Sequence, residues 1–515
     1  MEKVILALAI ILGIFFRVWQ IDNIPAGLAM DEAAFGYNAW AIGYNGHDEY
    51  GKFLPLSFRS FADFKLPAYG YLTAVVVKFF GPGVWQTRGI SILAGLACCL
   101  LLFLIVRRIT DNKRLATLSA LIMLWSPWGV LFSRGAFEGN LGLFFLMLGA
   151  YGLVKFRDHP KYLYLTAVSF ALANYSYITY KFVGFILLFV WLIAYRGVHK
   201  FSKSTLVSVF IFLIISAPAY LSLFGISGNN RISSLLKLSP KETGYPAVIQ
   251  LTSSYLSYFS PRNLFFRPDP VRQRHFSDLS TFYPWMFVLW LAGVVVWFKT
   301  RKTELAKWIG IVLIVGPIPA AISQDPFATL RAIPMLPAYA TLLALGAERL
   351  LELVKREYVK IAALAAILVF TCVSLYSALT VMKNGQVAEW NGGVEPLAKK
   401  LTAYPNRPVF VDIPHDVYPN LALALAYPPA EMQKANADFD LDKYYSDPVF
   451  SETIAFGRYR VGKTDRSKAA EVPGALLVVR PENTSASELT ERSWKGAFEI
   501  NDPSGKPLFL VYELN

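Results

Sequence analysis

Two adjacent acids, Asp31 and Glu32, stand in IPAGLAMDEAAFGYNAWAIGYNG (residues 24–46), between a greasy N-terminal run and a second largely apolar segment. Carboxylates in such company either cap a helix, worth about 1 kcal/mol, or take part in chemistry. Further charges punctuate the apolar sequence downstream: Asp48, Glu49, Lys65, Arg88, Arg134, Glu138, Lys181, Arg262, Arg267, Arg272, Arg274, His275, Asp325 and Arg331. A carboxylate near a hydroxyl can act as a general base, and Lys or Arg can stabilise a departing phosphate. Together these residue types suit group transfer from a phosphate carrier to a hydroxyl acceptor. Asp48 and Glu49, beside Gly46 and Gly51, read as a solvated turn.

The elements that must position these residues are mostly membrane spans. The 515 residues are 55% hydrophobic and 15% aromatic, which describes a polytopic membrane protein rather than a soluble one. Runs suited to crossing a hydrocarbon layer of about 30 Å fall near 4–19, 84–106, 115–132, 139–155, 162–176, 181–195, 205–223, 282–298, 306–322, 333–353 and 359–382, about eleven in all. The first run lacks a small-x-small cleavage site and reads as a retained helix. Basic clusters at Arg107–Arg114, Lys155–Lys161, Arg196–Lys203, Lys299–Lys307 and Lys355–Lys360 occupy every second connection. That alternation places them, with the N-terminus, in the cytoplasm. The first loop (20–83), the long loop (224–281) and everything after 383 then lie outside.

The formal charge of +14 is thereby explained by topology, and no nucleic-acid partner is expected. Three cysteines, Cys98, Cys99 and Cys372, form no metal-binding or disulfide pattern. Beyond residue 383 the apolar runs shorten, and RPVFVDI, GALLVVR and PLFLVYEL read as strands beside a helix over 394–403. This predicts a 1–382 transmembrane module and a 383–515 extracytoplasmic α/β domain. The reacting charges sit at outer ends of spans instead of mid-membrane, which favours chemistry on a lipid-linked phosphate over transport.

In order along the chain, MDEAAFGYNAWAI, FADFKLPAYGYLTAVVVKFFGPGVWQTRGISILAG, SRGAFEGNLGLFF, YLSYFSPRNLFFRPDPVRQRH and FATLRAIPMLPAYATLLALGAERL resemble the GT-C superfamily of membrane glycosyltransferases. The nearest likeness is to bacterial relatives of protein O-mannosyltransferases and aminoarabinose transferases, and it spans about residues 1 to 350. The resemblance implies a GT-C fold and transfer from a polyprenyl-phosphate-sugar donor to an extracytoplasmic acceptor, in a multi-pass protein of the cell (inner) membrane. It places the family's first-loop acid on Asp31 with Glu32 beside it, and a second acid on Glu138. Lys65-Leu66-Pro67 stands for the family's Lys-Pro pair, one residue looser. Arg274 and Arg331 match its basic positions for the lipid phosphate. No cofactor is assigned; some branches organise a divalent metal, and the sequence names no ligands for one.

The bland alternatives are specific. Asp31 serves as a cap, Lys65 snorkels to headgroups, Arg331 pairs with Asp325, and NYSYITY packs in the core when it does not stack on a sugar. A lipid-linked glycan flippase would instead show mid-membrane charges and an internal repeat, and a polysaccharide ligase would lack the early acid pair.

Overall fold

The structure is a computed structural model and describes all residues except 1, 62, 157, 195–202, 223–244, 326, 446–452, 484–493 and 515. The expected Arg196 and Lys200 and the first part of the long loop fall outside the described residues. Contacts divide the chain into a helical unit, Met1–Trp19 with Gly89–Leu379, and a mixed unit, Gln20–Arg88 with Thr380–Asn515. The sequence reading cuts the chain at 382/383 and leaves the first loop with the spans. Residues 20–88 instead pack with the C-terminal segment, through contacts that no local pattern announces.

Helices follow in chain order: α1 (Glu2–Val18), α2 (Met30–Asn45), α3 (Pro67–Phe80), α4 (Val84–Thr110), α5 (Lys113–Trp125), α6 (Pro127–Arg134), α7 (Glu138–Lys155), α8 (Tyr162–Ala173), α9 (Ile178–Ala194), α10 (Lys203–Leu221), α11 (Tyr245–Ser257), α12 (Met286–Lys299), α13 (Glu304–Val315), α14 (Leu336–Leu353) and α15 (Glu357–Gly385). Every expected span meets one of them. By length and apolarity alone, four helices of the described residues can cross a membrane, or five if α5 and α6 form one bent span. Their 56° bend has a local cause. Pro127 carries no N–H and drives Ser126 into an extended conformation (φ −60°, ψ 136°), and Ser126 Oγ then caps α6 by accepting from the Gly129 N–H at 3.0 Å. NYSYITY resolves into a short turn between α8 and α9. Tyr180 is buried and donates to the Gly139 carbonyl at 2.7 Å, so the core reading holds for that tyrosine.

Side chains on α15 such as Val369, Phe370 and Val373 are more than half exposed, as an apolar helix facing acyl chains should be. Elsewhere in the helical unit backbones approach closely. A Cβ placed on Gly293 of α12 would meet the Leu342 carbonyl, and one on Gly346 of α14 the Leu289 carbonyl. Gly346→Val is therefore expected to destabilise the unit by about 3 kcal/mol, the upper end of overpacking costs. Unfolding in detergent reads this, and a wild-type midpoint would show that the helices separate without penalty.

In the mixed unit β1 (Phe58–Ser60) and β2 (Asp63–Lys65) form a hairpin, with Phe58 opposite Lys65. The C-terminal segment adds α16 (Val394–Leu401), α17 (Tyr418–Ala424) and a six-stranded sheet of order β4-β5-β3-β6-β8-β7. Its strands are β3 (Val409–Asp412), β4 (Thr453–Phe456), β5 (Tyr459–Gly462), β6 (Leu476–Val479), β7 (Lys495–Asn501) and β8 (Pro507–Glu513). β3 runs parallel to β5 and β6, and the other pairings are antiparallel. β3, β6, β8 and α16 lie where the apolar runs predict them. One face of the sheet, through Val409, Val411, Leu476 and Val478, joins a core that includes Tyr37 of α2.

Candidate active site

The two acids that open α2 do different things. Glu32 is buried, and its Oε2 accepts the Ala29 N–H at 2.9 Å, so the cap belongs to Glu32. Arg88 grips the same carboxylate from both sides, Nε to Oε1 and Nη2 to Oε2 at 3.0 Å each. The guanidinium also donates to the carbonyls of Ile21 (2.7 Å), Pro25 (3.1 Å) and Gly27 (2.5 Å), and the Trp390 ring lies 5.9 Å away. Arg88 thus draws the chain before α2 into place.

Asp31, one residue earlier, has a side chain 55% exposed and lies 3.1 Å from the Lys65 ammonium. β2 ends at Lys65, and Pro67 opens α3 at a position where a missing N–H costs nothing, so the strand-to-helix junction sets where this lysine points. Lys65 is buried rather than snorkelling. Asp63 stands 3.8 Å away, and the Phe61 ring, held by a left-handed backbone (φ 32°), covers the ammonium at 3.8 Å. Among the described residues the buried Nζ completes no well-aligned hydrogen bond. A buried ammonium with three donors and so few acceptors is suited to an anionic ligand.

Asp48 and Glu49 contradict the solvated-turn reading, because both are buried. Gly46, at φ 80°, ends α2 and turns the chain inward there. Glu49 accepts from Tyr418 Oη at 2.7 Å and Asn38 Nδ2 at 2.9 Å; Asp48 accepts from Tyr444 Oη and from the Lys52 N–H at 2.8 Å. Burial pushes the Glu49 carboxyl up to about 7 and that of Asp48 up to about 6, against these hydrogen bonds. The unfolded chain releases the same protons near 4.5 and 3.8, so between those values and about 7 the folded state holds more protons. Stability should therefore fall as pH rises through that window and level off above about 7. For Glu49 alone the loss is on the order of 3 kcal/mol. Melting in detergent at pH 5 and pH 8 checks it; equal midpoints would refute it.

In the helical unit Arg274 and Arg331 converge on one oxygen, each donating to Asp325 Oδ2 at 2.9 Å. The expected Arg331–Asp325 pair is present, and Arg274 joins it. Burial works against the charge on Arg274, but Asp269 and Asp325 outweigh it and raise its pKa. The two arginines in turn hold Asp325 below the usual carboxylate range despite its partial burial. Asp269, which sequence reasoning passes over, is buried and accepts from the Thr329 N–H (2.8 Å), Thr329 Oγ1 (2.7 Å) and the Val271 N–H (2.9 Å). Each arginine donates to Asp325 through Nη1. Arg262, Arg267 and Arg272 are exposed, as expected of headgroup or solvent contacts.

Glu138 opens α7 half-buried. Arg134 donates to the carbonyls of Phe16 (2.6 Å) and Trp19 (2.8 Å), and Lys181 to that of Ala219 (2.8 Å), so both anchor helix ends. An apolar cavity of about 200 Å³, bounded by Ile105, Leu146, Phe170, Trp308 and Pro337, involves none of the expected site residues. Among the described residues no three His, Cys, Asp or Glu side chains converge as a metal site. Asp31 already faces a lysine ammonium and His275 Nδ1 the Phe276 carbonyl, so these residues do not fit a metal and no step is assigned to one.

The chain shares the GT-C fold with solved structures at low sequence identity. ArnT from Cupriavidus metallidurans in the apo state superposes with a TM-score of 0.61 at 14% identity, covering 100% of this chain and 98% of that one. The same protein bound to undecaprenyl phosphate gives 0.58 at 14% identity with the same coverage. The archaeal oligosaccharyltransferase AglB from Archaeoglobus fulgidus, in complex with an inhibitory peptide and a dolichol-phosphate, gives 0.50 at 12% identity over 98% of this chain and 74% of that one. Residues 65–221 match the family described as dolichyl-phosphate-mannose-protein mannosyltransferase, a segment that begins at Lys65 and includes Glu138. No curated protein matches in sequence.

Proposed function

We propose that this chain is an inverting glycosyltransferase that moves a sugar from a polyprenyl-phosphate carrier to an extracytoplasmic hydroxyl. The observation that carries the reading is the Asp31–Lys65 pair: a half-open carboxylate 3.1 Å from a buried, under-satisfied ammonium, with the capping duty taken by Glu32. The acceptor O–H gives its proton to Asp31 as its oxygen bonds to the anomeric carbon. The bond from that carbon to the phosphate oxygen breaks, and the electron pair leaves with the polyprenyl phosphate. Lys65 stabilises the departing phosphate; within the helical unit Arg274 and Arg331 form a basic pair suited to a lipid phosphate, and Glu138 keeps the second-acid role that the resemblance implies. Glu32 acts by holding the start of α2 and stays out of the proton transfer. The basic-loop alternation supports a cytoplasmic N-terminus and an outward C-terminal domain in the cell membrane. That the similar ArnT binds undecaprenyl phosphate and AglB a dolichol-phosphate supports the donor class.

The test is turnover of a radiolabelled polyprenyl-phosphate sugar by the purified protein in lipid nanodiscs with cell-envelope acceptors. Label passing to a non-lipid or new lipid product with release of polyprenyl phosphate is expected. Movement of intact donor across the bilayer without cleavage would replace this reading with a flippase.

A further inference from the structure

The buried Asp48–Glu49 pair is absorbed by none of the roles above, yet its partners come from the far end of the chain. Tyr444 Oη donates to Asp48 Oδ2 and accepts the Arg59 N–H at 2.8 Å; the Tyr444 carbonyl accepts from Arg59 Nη1 at 3.0 Å. Tyr418 Oη donates to Glu49 Oε2 at 2.7 Å and lies 3.2 Å from Ser60 Oγ. Arg59 and Ser60 belong to β1, which pairs with β2 so that Arg59 faces Phe64 and Ser60 faces Asp63. Lys65, the next residue, faces Phe58. Two tyrosines of the C-terminal segment therefore grip the strand against which the reactive lysine is registered. Both hydroxyls are buried, and each bridges a carboxylate and β1.

We propose that Tyr418 and Tyr444, acting through Glu49, Asp48 and Arg59, are positioning residues that fix the β1–β2 hairpin and so aim Lys65 at the leaving phosphate. The C-terminal segment thereby tunes the chemistry without touching substrate. This rests on the role given to Lys65 above.

The test uses Tyr444→Phe and Tyr418→Phe in the full-length protein in nanodiscs, which remove a hydroxyl and keep the ring. Hydrogen exchange at residues 58–65 should quicken at least tenfold while β3 and β6 keep their protection. In the transfer assay kcat should drop about tenfold with donor KM within twofold. Unchanged exchange at 58–65, or a rise in KM in place of the fall in kcat, overturns the proposal. If Tyr444→Phe does not fold, Tyr418→Phe alone carries the test, because the hydroxyl it removes links Glu49 to Ser60 in the same way. The exchange measurement needs no turnover, so it decides the tyrosine clamp even if the Asp31–Lys65 reaction fails its own test.

Discussion

Asparagine in place of Asp31 is expected to leave the protein folded and to lower kcat/KM for sugar transfer by about 10²- to 10⁴-fold, the usual contribution of a positioned base. The expectation of a folded variant follows from the division of labour at the start of α2. Glu32 accepts the Ala29 N–H and holds Arg88, whereas the Asp31 side chain faces Lys65 and solvent. An amide keeps an oxygen for the Lys65 ammonium but cannot take the acceptor's proton. The measurement is polyprenyl phosphate release beside thermal unfolding. A folded variant that turns over at wild-type rate would remove Asp31 from the mechanism.

Replacing Arg88 with Met should produce the opposite profile, a stability defect first and an activity defect only as its consequence. Arg88 is fully buried, and its loss strands the Glu32 carboxylate together with the carbonyls of Ile21, Pro25 and Gly27. Removing one partner of a buried ion pair costs about 3–5 kcal/mol because the other charge stays behind. Glu32→Gln, which retains an acceptor for Arg88 and for the Ala29 N–H, should cost less. Denaturant unfolding of both variants checks the order, and an Arg88→Met protein within about 1 kcal/mol of wild type would show that the pair is replaceable.

The contrast between these two acids marks how far a sequence can be read. Asp31 and Glu32 were legible as a pair because charge is rare among apolar runs, but which one caps depends on Arg88, 56 residues away. Helices and the strands β3, β6 and β8 were legible because their apolar runs carry their own periodicity or continuity. β4, β5 and β7 were not, since β7 is largely solvent-facing and offers no such run. Asp48 and Glu49 were misread as a solvated turn for a physical reason. The hydroxyls that make their burial tolerable stand 396 and 369 residues away, so a local window contains only two acids among turn-forming glycines. The Arg331–Asp325 pair was anticipated because six residues separate its members, and Arg274, 51 residues from Asp325, was joined to it only by the fold.

The grouping of residues 20–88 with 380–515 also sets a timetable for biogenesis. A ribosome adding roughly 5–20 residues per second needs on the order of 15–60 s to make the intervening stretch, the 291 residues 89–379. Throughout that interval the segment bearing Asp48, Glu49 and Lys65 has been synthesised while Tyr418 and Tyr444 do not yet exist. Its acids must stay hydrated until the last quarter of the chain arrives, and only then does the hairpin acquire its final register. Residues 20–88 are thus born early and finished last, and a nascent chain arrested before the C-terminal sheet would carry the helices of the bundle with Lys65 still lacking its final surroundings.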